Sequence, residues 1–287
     1  MKISIFSRLP FAPLFALVAL AVTVAVYSPG LQGGYALDDY TNIVDNEALA
    51  LKQLDWADLS RAAFSFQAGP TMRPISMVSF ALNRYFYGPD VYSFKLTNLI
   101  IHLLNGVLVF LFLAQLFASY RRRYAPQMDD KRLQWTGLLV GAMWLLHPLN
   151  FLPVMYVVQR ETRLSALFVL LGVNLYLWAR ERQLAGKASA PYIWVGVPLA
   201  TLLATLCKES GALLPLYLLT LELFILRFRD AAGGFSRATA AFYLVFLFLP
   251  GLAGLALMIT ARGGAYLNYG NRDFTLLERL MSEARVV

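Results

Sequence analysis

Of the 287 residues, 59% are hydrophobic and 15% are charged, against roughly a quarter charged in an ordinary soluble domain, so the chain is not a single soluble core but a membrane protein. One cysteine, Cys207, excludes an intrachain disulfide. The net charge of +8 comes from Lys and Arg in short stretches between apolar runs, Arg121-Arg122-Arg123 among them, which is the positive-inside pattern and not the footprint of a nucleic-acid binder.

The first apolar run, from Phe11 to Tyr27, carries no charge and follows Lys2 and Arg8. It exceeds the apolar stretch of a signal peptide and no small-x-small cleavage site follows, so it reads as a retained anchor. Further charge-poor runs fall at about 96–119, 133–147, 164–179, 191–206, 211–226 and 240–260, which gives about seven helical spans for a bilayer core of about 30 Å at about 1.5 Å per residue. Alternate crossing puts Arg121, Arg122, Arg123, Lys131, Arg132, Arg180, Arg182, Lys187, Arg227, Arg229 and Arg237 on the side of Lys2 and Arg8, which is therefore the cytoplasmic side with the N-terminus. The opposite side holds a long loop at 29–95, short ones at 148–163 and 207–210, and a tail from 261. Twelve of the 17 acids fall there.

In that long loop, Asp38-Asp39 lies just beyond the first span. Paired carboxylates repel, which suits one of the two to serve as a general base or a metal ligand; the plainer alternative is a cap on a helix starting near Thr41. Two amphipathic helices lying along the membrane surface are expected next. In 55–67, Asp55 caps while Leu59, Ala62 or Ala63 and Phe66 share a face; in 74–87, Pro74 opens the helix, Ile75, Val78, Leu82 and Phe86 share a face, and Gly88-Pro89 ends it. Arg73, just ahead of that start, suits an anion site or a side chain snorkelling into the headgroups.

The later junctions carry His147-Pro148, Gln159-Arg160-Glu161 and Cys207-Lys208-Glu209. Charges packed between apolar segments are costly in lipid and face a bundle interior or an aqueous cavity. Lys208-Glu209 and Arg160-Glu161 also read as self-neutralising pairs. His147 has no ligand at metal spacing and reads as a helix-end histidine bonded to backbone. Within the spans, Asn174 and Glu222 are polar, and Glu222 sits near the cytoplasmic end or pairs with a neighbouring helix.

Taken together, the chain resembles the membrane part of GT-C fold glycosyltransferases that carry a tetratricopeptide domain, a group related to protein O-mannosyltransferases. The resemblance runs over nearly the whole chain. It is carried by Leu37-Asp38-Asp39 with Ile43 and Asn46; Met72-Arg73-Pro74-Ile75-Ser76; Asn98-x-x-x-His102-x-x-Asn105; His147-Pro148 with Gln159-Arg160; Lys208-Glu209 with Pro215 and Glu222; and Phe274-Thr275-Leu276-Leu277-Glu278-Arg279-Leu280. No stretch resembles a tetratricopeptide unit, so residues 1–287 are expected to be one transmembrane domain, shorter than the unit it belongs to. The resemblance implies a multi-pass protein of the bacterial inner membrane, a sugar donor on a polyprenyl phosphate, a protein or glycan hydroxyl as acceptor, transfer outside the cytoplasm with inversion, no metal and no other cofactor, and room for a partner subunit. On this reading Asp38 is the base and Asp39 orients it or the acceptor. Arg73, Arg160 and Lys208 bind the donor phosphate, and Glu161, Glu209 and His147 support them. The alternatives are an oligosaccharide ligase using a polyprenyl diphosphate, or a scaffold or transporter without transferase activity.

Overall fold

The structure is a computed structural model that describes residues 11–66, 71–259, 275, 277–279, 281 and 282. Most of the expected tail at 261–287, including Phe274, Leu276 and Leu280, lies outside the described residues, as do Lys2 and Arg8. The chain divides into two compact units, Met1–Phe235 and Ser236–Val287.

The first unit is helical, in this order: α1 (Ala12–Tyr27), α2 (Trp56–Ala63), α3 (Pro74–Tyr87), α4 (Val91–Tyr124), α5 (Asp130–Leu145), α6 (Pro148–Met155), α7 (Arg160–Leu184), α8 (Tyr192–Cys207) and α9 (Glu209–Leu226). The second unit contains α10 (Arg237–Leu257). No named strand occurs among the described residues; Arg229 and Phe235 form one isolated bridge. Five helices among the described residues are long and apolar enough to cross a membrane, or six if α5 and α6, bent by 47° at Pro148, count as one. The expected run at 191–206 corresponds to α8, a shorter apolar helix.

α4 is the hub of the first unit. Asp90 caps it by accepting from the Tyr92 N–H at 3.3 Å, and Arg121, Arg122 and Arg123 fill its last turn, where cations meet the negative end of the helix dipole. α5 runs back against it. A Cβ on Gly106 would sit 2.4 Å from Leu145 Cδ2, so any side chain there would have to push the buried Leu145 aside. α7 then runs parallel to α4, with Gln115 Nε2 donating to Asn174 Oδ1 at 2.7 Å and Ser119 Oγ to Glu181 Oε1 at 2.8 Å.

The segment between α1 and α4 folds on its own core of Ile43, Leu49, Ala62, Phe66, Met77, Phe80 and Ala81, closed by Phe94 and Val157. As expected, Asp55 caps α2, accepting from Asp58 N at 2.8 Å, Pro74 opens α3, and Gly88 ends it at φ +74°. The face of α3 that meets protein lies beside the one shared by Ile75, Val78, Leu82 and Phe86. Ser76, Met77, Phe80, Ala81 and Asn83 are buried, and Phe86 stays exposed. The reason is polar: Ser76 Oγ donates to the Cys207 carbonyl at 3.0 Å and Asn83 Oδ1 accepts from Arg160, so the inward stripe includes hydrogen-bonding residues that an apolar count passes over.

One end of the first unit therefore gathers the Asp38 region, the α6–α7 junction and the α8–α9 turn. The opposite, arginine-rich end gathers the last turns of α4, α7 and α9.

Candidate functional site

Asp38 and Asp39 are neighbours with opposite surroundings. Leu37, at φ +43°, turns the chain just ahead of them. Asp39 is 1% exposed. Its Oδ1 accepts from Val158 N at 2.7 Å, and its Oδ2 from Ala36 N at 3.1 Å and Val157 N at 3.3 Å. Burial holds its carboxyl above the ordinary 3.8 although all three N–H groups pull it down. Asp39 makes no side-chain cap on the turn that follows; it fastens that turn to the entry of α7. Asp38 is exposed. Its backbone N–H donates to the Tyr156 hydroxyl at 2.8 Å, and its carbonyl accepts from Asn42 Nδ2 at 2.9 Å. Burial first, and then the charges of Asp38 and Asp39, push the Tyr156 phenol above its ordinary range.

A cluster of charges forms where α3, α7 and the α8–α9 turn meet. Met72 and Arg73 take left-handed backbone conformations, φ +54° and +49°, each costing about 1–3 kcal/mol for a side-chain-bearing residue. That geometry aims the Arg73 guanidinium at two acids at once. Nη1 pairs with Glu161 Oε2. Nη2 meets Glu209 Oε2 at 2.9 Å, and Nε lies 3.1 Å and 3.3 Å from the two Glu209 oxygens. Thr71 Oγ1 also donates to Glu209 Oε1, at 2.8 Å, while Phe66 lies under the guanidinium at 4.5 Å. Lys208 Nζ donates to Thr162 Oγ1 at 2.8 Å. Burial lowers its ammonium below the usual lysine range, and Glu161 partly offsets this. Gly211 makes this turn possible, since a Cβ there would meet the Ala204 carbonyl carbon at 2.3 Å.

Lys208 and Glu209 are thus not a mutual pair, and neither are Arg160 and Glu161. In each dipeptide the side chains go to different elements. The two candidate groups are linked through one short stretch: Asp39 accepts from Val157 and Val158, and a few residues on, Glu161 and Thr162 meet Arg73 and Lys208.

Arg160 is placed differently from Arg73 and Lys208. It is fully enclosed, donating to Asn98 Oδ1 at 2.8 Å, Ser79 O at 3.1 Å, Asn83 Oδ1 at 2.7 Å and Phe94 O at 2.9 Å, with the Phe80 and Phe94 rings on its faces at 4.6 Å and 5.4 Å. Its surroundings give it to the scaffold, because its donors already have protein acceptors and no solvent reaches it. His147 is exposed; its Nδ1 accepts from Leu149 N at 3.2 Å, which caps the bend between α5 and α6.

Several contributors were given no role from the sequence, although Asn98, His102 and Asn105 are among the residues that carry the resemblance. Asn98 donates to the Val154, Tyr156 and Val157 carbonyls while accepting from Arg160, so it shapes the turn that holds Tyr156. Lys95 reaches the Gly33 carbonyl at 2.8 Å. His102 Nε2 meets the Leu145 carbonyl at 2.9 Å, and Asn105 Nδ2 donates to the Arg163 carbonyl at 3.0 Å. The spacing Asn98, His102, Asn105 places all three along one side of α4, and that periodicity was the available clue.

No family model and no solved structure matches the chain. Over 200 residues it is 28% identical to human protein O-mannosyl-transferase TMTC3, an alignment that takes in 67% of this chain and 20% of the human protein. The mouse protein of the same name is 28% identical over 203 residues, again 67% of this chain and 20% of that one. The chain thus spans about a fifth of the length of these curated relatives. It is similar, over two thirds of its length, to protein O-mannosyl-transferase TMTC3 of both organisms.

Proposed function

We propose that the chain is the membrane part of a glycosyltransferase of GT-C type that moves a sugar from a polyprenyl phosphate to a hydroxyl of a protein or glycan on the extracytoplasmic side. The observation that supports this reading is that one short stretch, 156–162, takes the backbone of the exposed Asp38 at Tyr156 and meets the Arg73 and Lys208 cations at Glu161 and Thr162. The similarity to O-mannosyl-transferases supports it.

The chemistry needs little more. The Asp38 carboxylate takes the proton of the acceptor hydroxyl as its oxygen bonds to the anomeric carbon. The bond from that carbon to the phosphate oxygen breaks, and the polyprenyl phosphate leaves with the electron pair and the charge. Arg73 and Lys208 stabilise that developing charge in a site partly screened from water. A single displacement inverts the anomeric centre. Asp39, through Val157 and Val158, sets where Asp38 and Tyr156 stand, and Arg160 stiffens the same junction from behind.

The test is transfer from a labelled polyprenyl-phosphate sugar by the purified protein in lipid nanodiscs, with the anomeric configuration of the product read by NMR. Retention would rule out single displacement, and transfer only from a diphosphate donor would favour the oligosaccharide ligase.

A further inference from the structure

The charged cluster balances internally: Arg73 and Lys208 face Glu161 and Glu209, and the Arg73 fork is occupied by carboxylates on both sides. A phosphate arriving at Arg73 therefore has to take the place of one of them. The two acids are not equal. The Glu161 side chain is 3% exposed and that of Glu209 is 30% exposed, so releasing Glu161 strands a charge in the interior whereas Glu209 swings into water. Glu209 is also held as an external anion would be held, by the Nε and Nη2 donors of one guanidinium, which reach Oε2 at 3.1 Å and 2.9 Å with Nε 3.3 Å from Oε1, and by the Thr71 hydroxyl. A guanidinium fork fits a carboxylate and a phosphate by the same two-pronged geometry. The backbone that aims the fork is held in two successive left-handed residues, Met72 and Arg73, and Glu161 grips the remaining Nη1. The fork therefore stays in position when Glu209 departs.

We propose that Arg73 and Thr71 form an anion cradle in which Glu209 is a built-in occupant, displaced by the phosphate of the lipid-linked donor. This inference rests on the phosphate-handling reading of the cluster. It reverses the role that sequence reasoning gives Glu209: the residue competes with the donor for Arg73 instead of steadying Arg73 for it.

The experiment measures equilibrium binding of a fluorescent short-chain prenyl phosphate to the full chain in nanodiscs, with the matching prenyl alcohol and inorganic phosphate as controls. Glu209→Gln removes the competing charge at constant shape and is expected to tighten prenyl phosphate binding about tenfold, the equivalent of about 1.4 kcal/mol. Arg73→Gln abolishes binding. Glu209→Asp, which keeps the charge but shortens the arm, moves affinity in the same direction by less and serves if the Gln variant does not fold. Unchanged or weaker binding in the Glu209 variants, with wild-type binding intact, makes Glu209 a support of Arg73 and overturns the inference while the phosphate reading stands. Wild-type binding no tighter than that of the prenyl alcohol overturns both. Binding of inorganic phosphate as tight as that of the lipid overturns the lipid donor as the ligand.

Discussion

The two ends of the helix bundle use the same residue types to opposite ends. At the arginine-rich end, Glu222 is fully enclosed and accepts from Arg180 Nε at 2.6 Å, Arg180 Nη2 at 3.1 Å, Tyr176 Oη at 2.7 Å and Phe228 N at 2.9 Å. Glu181 is likewise shared by Arg122, Arg123 and Ser119. These acids are saturated by several donors from neighbouring helices and leave nothing for a ligand. At the other end one arginine bridges two acids from a strained backbone, Glu209 is partly open to water, and Asp38 is exposed. A completed buried network fixes how helices pack, whereas an incomplete and partly open one can exchange partners. The sequence presents both as charges beside apolar runs, and only burial and partner count separate them.

The sharpest way to break that contrast is to change the open end and look for an effect on rate alone. Asp38→Asn is expected to cost on the order of 10²- to 10⁴-fold in sugar transfer with no change in melting temperature, measured by radiolabel transfer and by differential scanning fluorimetry on the same preparation. Full-rate transfer by the folded variant removes Asp38 as the base. The closed end should show the reverse. Glu222→Leu leaves the Arg180 guanidinium buried without its carboxylate, a loss of about 3–5 kcal/mol. Chemical denaturation should register it in full, while transfer per folded molecule stays at the wild-type level.

How much of this was legible in the sequence follows the same division. The apolar runs located the helices because hydrophobicity is a property of segments, although α4 reaches past its apolar run at both ends, taking in Lys95 and the three arginines. Pro74, Gly88 and Asp55 marked helix ends through local backbone chemistry, and the structure uses them so. The candidate charges were found because charges between apolar segments are rare. Their partners were not, since partnership is a long-range fact. Nothing local says that Lys208 turns to Thr162 and Glu209 to Arg73, or that Arg160 is enclosed by Asn98, Asn83 and two phenylalanine rings. The count of about seven spans exceeded the five or six the described residues support because a short apolar run like that of α8 scores by composition as a crossing and fails by length.

A conservative substitution at Arg73 tests whether the open end works by geometry or by charge alone. Arg73→Lys keeps the charge but cannot serve Glu161 and an anion with a planar fork. The loss of one charge-assisted contact, about 1.5–3 kcal/mol, should lower kcat/KM by roughly 10- to 100-fold, read from initial rates over a donor series. A lysine variant with wild-type kcat/KM would reduce Arg73 to a point charge and remove the distinction drawn between its fork and the ammonium of Lys208.

The smallest effect separates the two aspartates. Asp39→Asn offers an amide NH₂ where one carboxylate oxygen now accepts backbone N–H groups, so at least one buried donor among Ala36, Val157 and Val158 loses its acceptor, for about 1–3 kcal/mol at neutral pH. The pH dependence carries the sign. Burial holds the folded-state value above the ordinary 3.8, so folding favours the protonated acid: its contribution is complete below 3.8 and is lost as pH rises through the elevated folded value. Wild-type stability, followed by denaturant midpoint from the acid side upward, should therefore decline across that interval by a component that Asp39→Asn lacks, so the penalty of the substitution is larger at low pH than at neutral pH. If the two proteins keep a constant difference across the interval, the folded and unfolded values of Asp39 coincide and its three N–H donors balance its burial. In that case the buried aspartate behaves as the acids of the arginine-rich end do, fully compensated, and the boundary between scaffold and working site runs between two adjacent residues, at the peptide bond joining Asp38 to Asp39.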